Sequence, residues 1–241
     1  MEGSAGEGAL LLLGREVSPL AAHILSAGSL AQGVIQGFDV VGLMYSGNIG
    51  LYYDLENIIK VIGKFKGRED VIFAFVGDGT VKKEIESYAT ENKLNNVTFI
   101  PYQDKADLVY SLNSADIHWV VNAKGIKGVS VPSKLYGVMA AGKSVLGVLD
   151  EGSEARLIVD ECNCGVCTEP SNYDEIYNKI EYILNNKEKV KSLGQNGRKY
   201  LEKNLTKEVS INKYKNTILS VESKIMNTKG KIKNNKEELA I

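Results

Sequence analysis

The chain has 241 residues, 44% hydrophobic and 24% charged, and its 29 Lys/Arg and 30 Asp/Glu leave a net charge of −1. Enough apolar chain is present for one large domain or two small ones, and the 24 glycines against 4 prolines suggest many strand-to-helix turns rather than disorder. Three cysteines, an odd count gathered in "ECNCGVC", argue against a disulfide framework and fit a reducing, cytoplasmic setting.

Residues 1–37 show scattered Gly and Ser with no sustained period and read as a poorly defined leader. Its apolar run Ala9–Leu13 is too short to span a bilayer. Glu2 and Glu7 flank that run where a secretory signal would need a basic stretch.

From Phe38 the pattern sharpens. "FDVVGLMYSG" reads as a buried strand closed by Gly, and "DLENIIKVIGKF" as a helix with Leu55, Ile58, Ile59 and Ile62 on one face. "VIFAFVGDG" is a second buried strand, "TVKKEIESYATENK" a helix, and "NVTFIPY" a short strand stopped by Pro101. "DKADLVYSLNSA" and "DIHWVVN" repeat the helix–strand alternation. A Gly- and Lys-bearing loop then leads to a helix from Ser133 to about Ala141, stopped by Gly142, and the strand "SVLGVL". "SEARLIVDE" and "CGVCTE" add a helix and a strand, and two or three helices fill Tyr173 to about Lys224. Residues 225–241 are expected to form a tail without fixed structure.

Six short apolar strands alternating with helices predict an α/β fold, a doubly wound parallel sheet with C-terminal helices. Ligands of such sheets bind beyond the carboxyl ends of the strands, where strand order reverses. Attention therefore falls on "SGNIG" at 46–50, "GDGT" at 77–80, "IPYQD" at 100–104 and "NAKGIKGVSVPSK" at 122–134. None matches a dinucleotide fingerprint or a P-loop. Lys134 lies in the first turn of its helix, where the macrodipole disfavours a cation by roughly 0.3–1 kcal/mol. An anion at that helix end would account for it, with Ser133 as N-cap and Lys124 and Lys127 on the preceding loop. A plain capped helix with a solvent-facing Lys is the alternative on the motif alone. C-x-C-x-x-C could in principle hold a metal, but no fourth Cys exists, and His23 and His118 are distant in sequence.

The pieces "MYSGNIG…DLENIIKVI", "FAFVGDGTVKKEIE", "NVTFIPYQDKADLVYSLNSADI", "SVPSKLYGVMAAGKSVLGV" and "GSEARLIVDECNCGVCTEPSN", in that order, resemble the nucleotide-sugar-binding, C-terminal half of GT-B glycosyltransferases of family 4, "group 1". "PSKLYGVMAAGK" looks especially like the subgroup that builds capsule, colanic-acid-like and O-antigen polysaccharides. The resemblance runs from about Phe38 to Lys215 and defines a domain over 38–224. It implies transfer of a sugar from a UDP- or GDP-linked donor to a polysaccharide or lipid-linked acceptor, with retention and without a cofactor or bound metal. By resemblance, Gly47, Asn48, Lys127, Ser133, Lys134 and Leu135 would hold the diphosphate. Gly77, Asp78, Gly79, Pro101 and Tyr102 would border the nucleoside.

Three departures stand out. Many members carry two Glu seven residues apart across this helix; here Val129 and Gly137 occupy those positions, leaving Glu154 as a candidate for the ribose. Many carry Arg and Lys after the first strand, whereas "SGNIGLYYD" has neither. The acceptor-binding N-terminal domain has no counterpart in residues 1–37. The chain is therefore expected to bind donor without efficient transfer alone, and to need a separate acceptor-binding domain or subunit. A non-catalytic donor-binding or scaffold subunit paired with such a chain is the alternative. Residues 187–236 carry 14 Lys/Arg against 4 Glu, which suits peripheral contact with an anionic membrane, or simply a solvated helix face. No nucleic-acid partner is expected.

Overall fold

Strand β1 (Val41–Ser46) lies in the middle of a six-stranded sheet, and its side chains alternate between two buried layers. Leu43 and Tyr45 join one core, and Met44 joins the other. That alternation is what a strand covered on both faces requires. The molecule is a computed structural model that describes residues 40–238. The leader at 1–37 lies outside them. Of the described residues, those up to Arg198 form one unit and those from Lys199 a second.

In the first unit the chain runs β1, a 3-10 turn at Leu51–Tyr53, α1 (Leu55–Gly63), β2 (Val71–Val76), α2 (Lys82–Glu91), β3 (Val97–Ile100), α3 (Leu108–Asn113) and β4 (Ile117–Val121). It continues with α4 (Lys134–Ala140), β5 (Ser144–Val148), α5 (Glu154–Cys162), β6 (Gly165–Thr168), α6 (Tyr173–Asn185) and α7 (Lys187–Asn204), the last of which passes into the second unit. Every pairing is parallel, in the order β3-β2-β1-β4-β5-β6. The expected doubly wound sheet is therefore present, with element ends within a few residues of the sequence reading.

One core layer packs Leu43, Tyr45, Phe73 and Phe75 of the sheet with Ile58, Ile59 and Ile62 of α1, Ile85 of α2, and Ile176, Ile180 and Ile183 of α6. On α4, Leu135, Val138 and Met139 are buried at the i, i+3, i+4 spacing read from the sequence. This helix packs against β4 and β5. It ends as expected at Gly142, whose φ of +66° allows a left-handed terminus; Lys143 N–H then donates to Val138 O at 3.1 Å.

Strands β1 and β2 pair over six positions, but β1 and β4 pair over two, Leu43–Ile117 and Met44–His118. Asp116 fastens the start of this seam: its carboxylate accepts from Gly42 N–H at 3.0 Å. Beyond Met44 the two strands part. The sheet is thus open at the carboxyl ends of β1 and β4, which is where its strand order reverses.

In the second unit, Thr206 Oγ1 accepts from Val209 N–H at 3.3 Å and caps α8 (Lys207–Glu238). This helix continues past Lys224, where the sequence reading placed the start of a structureless tail. Its Lys, Glu and Asn are tolerated in a helix and no Pro interrupts them, which the tail's charge and lack of a core concealed. Among the described residues no helix is long and apolar enough to cross a membrane.

Candidate functional site

Lys134, the first residue of α4, lies beside the carboxyl end of β1. Its ammonium is buried and has no hydrogen-bond partner. It lies 3.8 Å from the centroid of the Tyr45 ring and 4.2 Å from that of Tyr53. Two aromatic faces attract a cation, by about 2 kcal/mol each when desolvated, but do not replace the hydrogen bonds that water gave it. Burial alone lowers the Lys134 pKa from 10.5 to about 7. A lysine so placed lacks the acceptors that an ammonium needs.

The turn after β1 brings Gly47 against this ammonium. A methyl group built on Gly47 would sit 3.8 Å from Lys134 Nζ. Tyr45 is held by its hydroxyl, which donates to Asn48 O at 2.6 Å. Asn48 itself is exposed, its side chain folded over Gly50.

The second Gly turn braces the first. Ile49 N–H donates to Asp78 O at 2.8 Å and Val81 N–H to Ile49 O at 3.1 Å. A Cβ on Gly77 would lie 2.0 Å from Gly47 O, and one on Gly79 would lie 2.2 Å from Ile49 O. Real side chains cannot approach backbone that closely, so Gly77 and Gly79 are needed for turn-on-turn packing. Tyr102, exposed at the end of β3, donates to Asp78 O at 3.4 Å, with Pro101 beside it in sequence and also exposed. Gly77, Asp78, Gly79, Pro101 and Tyr102 thus gather on one rim, next to the Gly47 turn, whereas Glu154, the sixth nucleoside-side residue expected from the sequence, lines a different cavity.

Ser133 is arranged differently from the sequence reading, and Leu135, buried as that reading expected, has its amide already bonded within the chain. Ser133 occupies the N-cap position with helical backbone angles, and its side chain makes no capping hydrogen bond. Leu135 is fully buried, and its N–H already donates to Pro132 O at 3.1 Å. The preceding Pro-bearing loop tightens into a turn and satisfies this amide, which removes the need for a side-chain cap.

Lys127 lies on the β4–α4 loop and turns toward the β5–α5 turn, donating to Glu151 O at 2.6 Å. With Asn122, Gly152, Ser153 and Glu154 it lines a cavity at the carboxyl ends of β4 and β5. Asn122 Oδ1 and Ser153 Oγ are buried there without partners. The 3-10 turn joins this region to the Lys134 cluster through Ala123 N–H, which donates to Tyr52 O at 2.7 Å. Tyr53, Asn122 and Ser153 were not singled out from sequence. Each stands in a turn after a strand, and that position was the only signal available for them.

The cysteines lie away from this opening, at the end of α5 and on β6. Among the described residues no cluster of His, Cys, Asp or Glu has the makings of a metal site.

The fold is a parallel doubly wound α/β sheet with a buried, unpartnered lysine beside its switch point. The chain belongs to the glycosyl transferases group 1 family, whose model matches residues 41–200. It is 31% identical over 170 residues to "Probable glycosyltransferase WbjE" of Pseudomonas aeruginosa, covering 70% of this chain and 42% of that protein. It is 30% identical over 177 residues to "Putative colanic acid biosynthesis glycosyl transferase WcaI" of Escherichia coli (strain K12), covering 73% and 42%. Among solved structures it resembles Anabaena Alr3699/HepE in complex with UDP-glucose, with a TM-score of 0.62, 19% identity, and coverage of 85% of this chain and 53% of that one. The chain thus spans less than half the length of these two curated relatives.

Proposed function

We propose that this chain is the donor-binding half of a group 1 glycosyltransferase, holding a UDP- or GDP-linked sugar for transfer to a polysaccharide or lipid-linked acceptor. The observation that carries the reading is the Lys134 ammonium, buried without a hydrogen-bond partner between Tyr45 and Tyr53 and beside Gly47. A diphosphate in this crevice would give that ammonium its missing acceptors and would return its pKa toward the ordinary lysine range.

In the reaction, an acceptor hydroxyl oxygen bonds to the anomeric carbon as the bond from that carbon to the diphosphate oxygen breaks. The hydroxyl proton passes to the departing diphosphate. Lys134 would stabilise the charge growing on that leaving group, a task a metal ion performs in other transferases. Attack on the face the diphosphate leaves gives retention. Tyr102 and the Asp78 turn would flank the base. Glu154, exposed beside the cavity that holds Lys127, would reach the ribose or the sugar. The acceptor would be supplied by a further domain or a partner subunit, and the basic stretch 187–236 would suit an anionic membrane surface near such an acceptor.

The test is calorimetric titration of the chain with UDP, GDP and a UDP-sugar, repeated on Lys134→Ala. Saturable binding of one nucleotide, weakened about tenfold or more in the variant, equivalent to about 1.4 kcal/mol, is the expected result. Absence of binding to all three would overturn the donor-site reading and leave the scaffold role.

A further inference from the structure

The cavity that holds Lys127 carries unmet polar groups of its own. It encloses about 300 Å³ between the β4–α4 loop and the start of α5, room for one sugar residue. Asn122 and Ser153, which line it, are each nine-tenths or more buried, and each leaves one polar atom without a partner. Asn122 Nδ2 donates to Ser130 O at 3.2 Å, so the orphan Oδ1 is an acceptor that needs an N–H or O–H. Ser153 stands at the N-cap of α5 and makes no capping hydrogen bond. Its hydroxyl is free to donate, and the first amides of α5 beside it have no carbonyl within the helix.

The loop side of the cavity is apolar. Val129 is 80% exposed and Val131 46%, and both line it. Lys127 and Glu154, also on the lining, bring opposite charges, and Lys127 already donates to Glu151 O. These features select among sugar substituents. A carboxylate would meet Glu154 and would bring no proton to Asn122 Oδ1. A hydroxyl would satisfy Asn122 and leave both valines in water. An acetamido group meets every demand at once. Its N–H donates to Asn122 Oδ1, its carbonyl accepts from Ser153 or the α5 amides, and its methyl covers Val129 and Val131.

We propose that this cavity receives the acetamido group of a UDP-linked 2-acetamido sugar, with Asn122, Ser153 and Val129 as the residues that select it. Position 2 follows from the loop. Pro132 lines the cavity, and Lys134, two residues on, is the diphosphate's partner, so the group received is next to the anomeric carbon. UDP is the ordinary carrier of such sugars. The inference rests on the donor-site reading above, and it can fail while that reading stands.

Calorimetric titration of the chain with sugar nucleotides that differ only at carbon 2 tests it. The pairs are UDP-N-acetylglucosamine against UDP-glucose, and UDP-N-acetylgalactosamine against UDP-galactose. In at least one pair the acetamido member should bind about tenfold more tightly. The matching 2-amino sugar, which lacks the carbonyl and the methyl, should bind no better than the hydroxyl member. Val129→Ser, at an exposed position, and Ser153→Ala should each shrink the preference to about threefold or less. UDP binding with both pairs indistinguishable, or binding confined to GDP, overturns the acetamido site and leaves the donor reading in place. A 2-amino sugar that binds as tightly as the acetamido one also overturns it, and a preference unchanged in both variants overturns its assignment to this cavity. Absence of binding to every nucleotide overturns the donor reading and this inference with it.

Discussion

At the scale of the residue, the buried ammonium of Lys134 costs stability. Its folded pKa, about 7, lies below the 10.5 of an exposed lysine because burial penalises the charged form. Between those two values the unfolded chain holds a proton that the folded chain lacks, so this residue's contribution to stability rises with pH across that window. Below about pH 7 both states are protonated and the full penalty stands. Lys134→Met keeps the length and the aromatic packing and removes the orphan charge. We expect it to raise the melting temperature at pH 6 by about 2–4 °C, equivalent to about 1 kcal/mol, and to lose the advantage toward pH 10. The same variant should lose nucleotide binding; a variant that binds as the parent does would detach Lys134 from the site. A second consequence follows in the parent chain. If a diphosphate raises the Lys134 pKa, binding near pH 7.5 takes up a proton. Calorimetric enthalpies measured in buffers of differing ionisation heat should then differ; enthalpies that agree in every buffer would mean that binding leaves the Lys134 proton where it was.

At the scale of the element, β4 carries an acid-sensitive joint. His118 is buried beside Met44, where β1 and β4 still pair, and its Nε2 lies 2.9 Å from Leu112 O. Burial is the largest cause lowering its pKa from 6.5 to about 4; the Leu112 carbonyl opposes the shift and Lys143 adds to it. The imidazole is therefore neutral, with Nε2 donating. Its contribution is fully present above pH 6.5 and is lost as pH falls toward 4, because the unfolded chain takes up the proton first. Melting temperatures followed from about pH 7 to about pH 4.5 should fall more steeply in the parent than in His118→Gln. Parallel profiles would place the acid sensitivity elsewhere. The strands and their order were legible because each is a short apolar run ended by Gly or a polar turn. "DIHWVVN" showed His118 among buried residues and so as packing. The two tyrosines around Lys134 were not legible, since Tyr45 ends a strand, Tyr53 ends a 3-10 turn, and only the splay of β1 from β4 brings them to one cation. Ser133 misled because a Ser before a helix reads as a cap whether or not the backbone leaves it an amide to bind. Closer packing also went unread: a Cβ on Gly194 of α7 would lie 2.2 Å from Gly142 O. Gly194→Ala should therefore push α7 off the α4–β5 turn and cost about 1–3 kcal/mol in urea unfolding, where an ordinary mid-helix Gly→Ala would stabilise.

At the scale of the whole molecule, burial and exposure divide the described residues between the sheet and the C-terminal helix. Among the described residues the buried hydrophobics end at Leu193, and the sheet's cores are drawn from residues 41–190. From Ile211 to Ile225 every described side chain is exposed. A polar helix with exposed apolar residues at regular spacing contributes surface rather than core, and such a helix gains its packing from something outside the core. The sequence pattern showed the stretch 187–236, which holds α7 and most of α8, as charge of +10, and that charge drew attention to an anionic surface while the regularly spaced apolar residues passed unremarked. A chain ended after Asn204 separates the two roles. It should keep a single cooperative unfolding transition and the parent's affinity for nucleotide, because the turns around Lys134 and the cores beneath them remain whole. Loss of nucleotide binding together with the cooperative transition would mean that α8 supports the sheet.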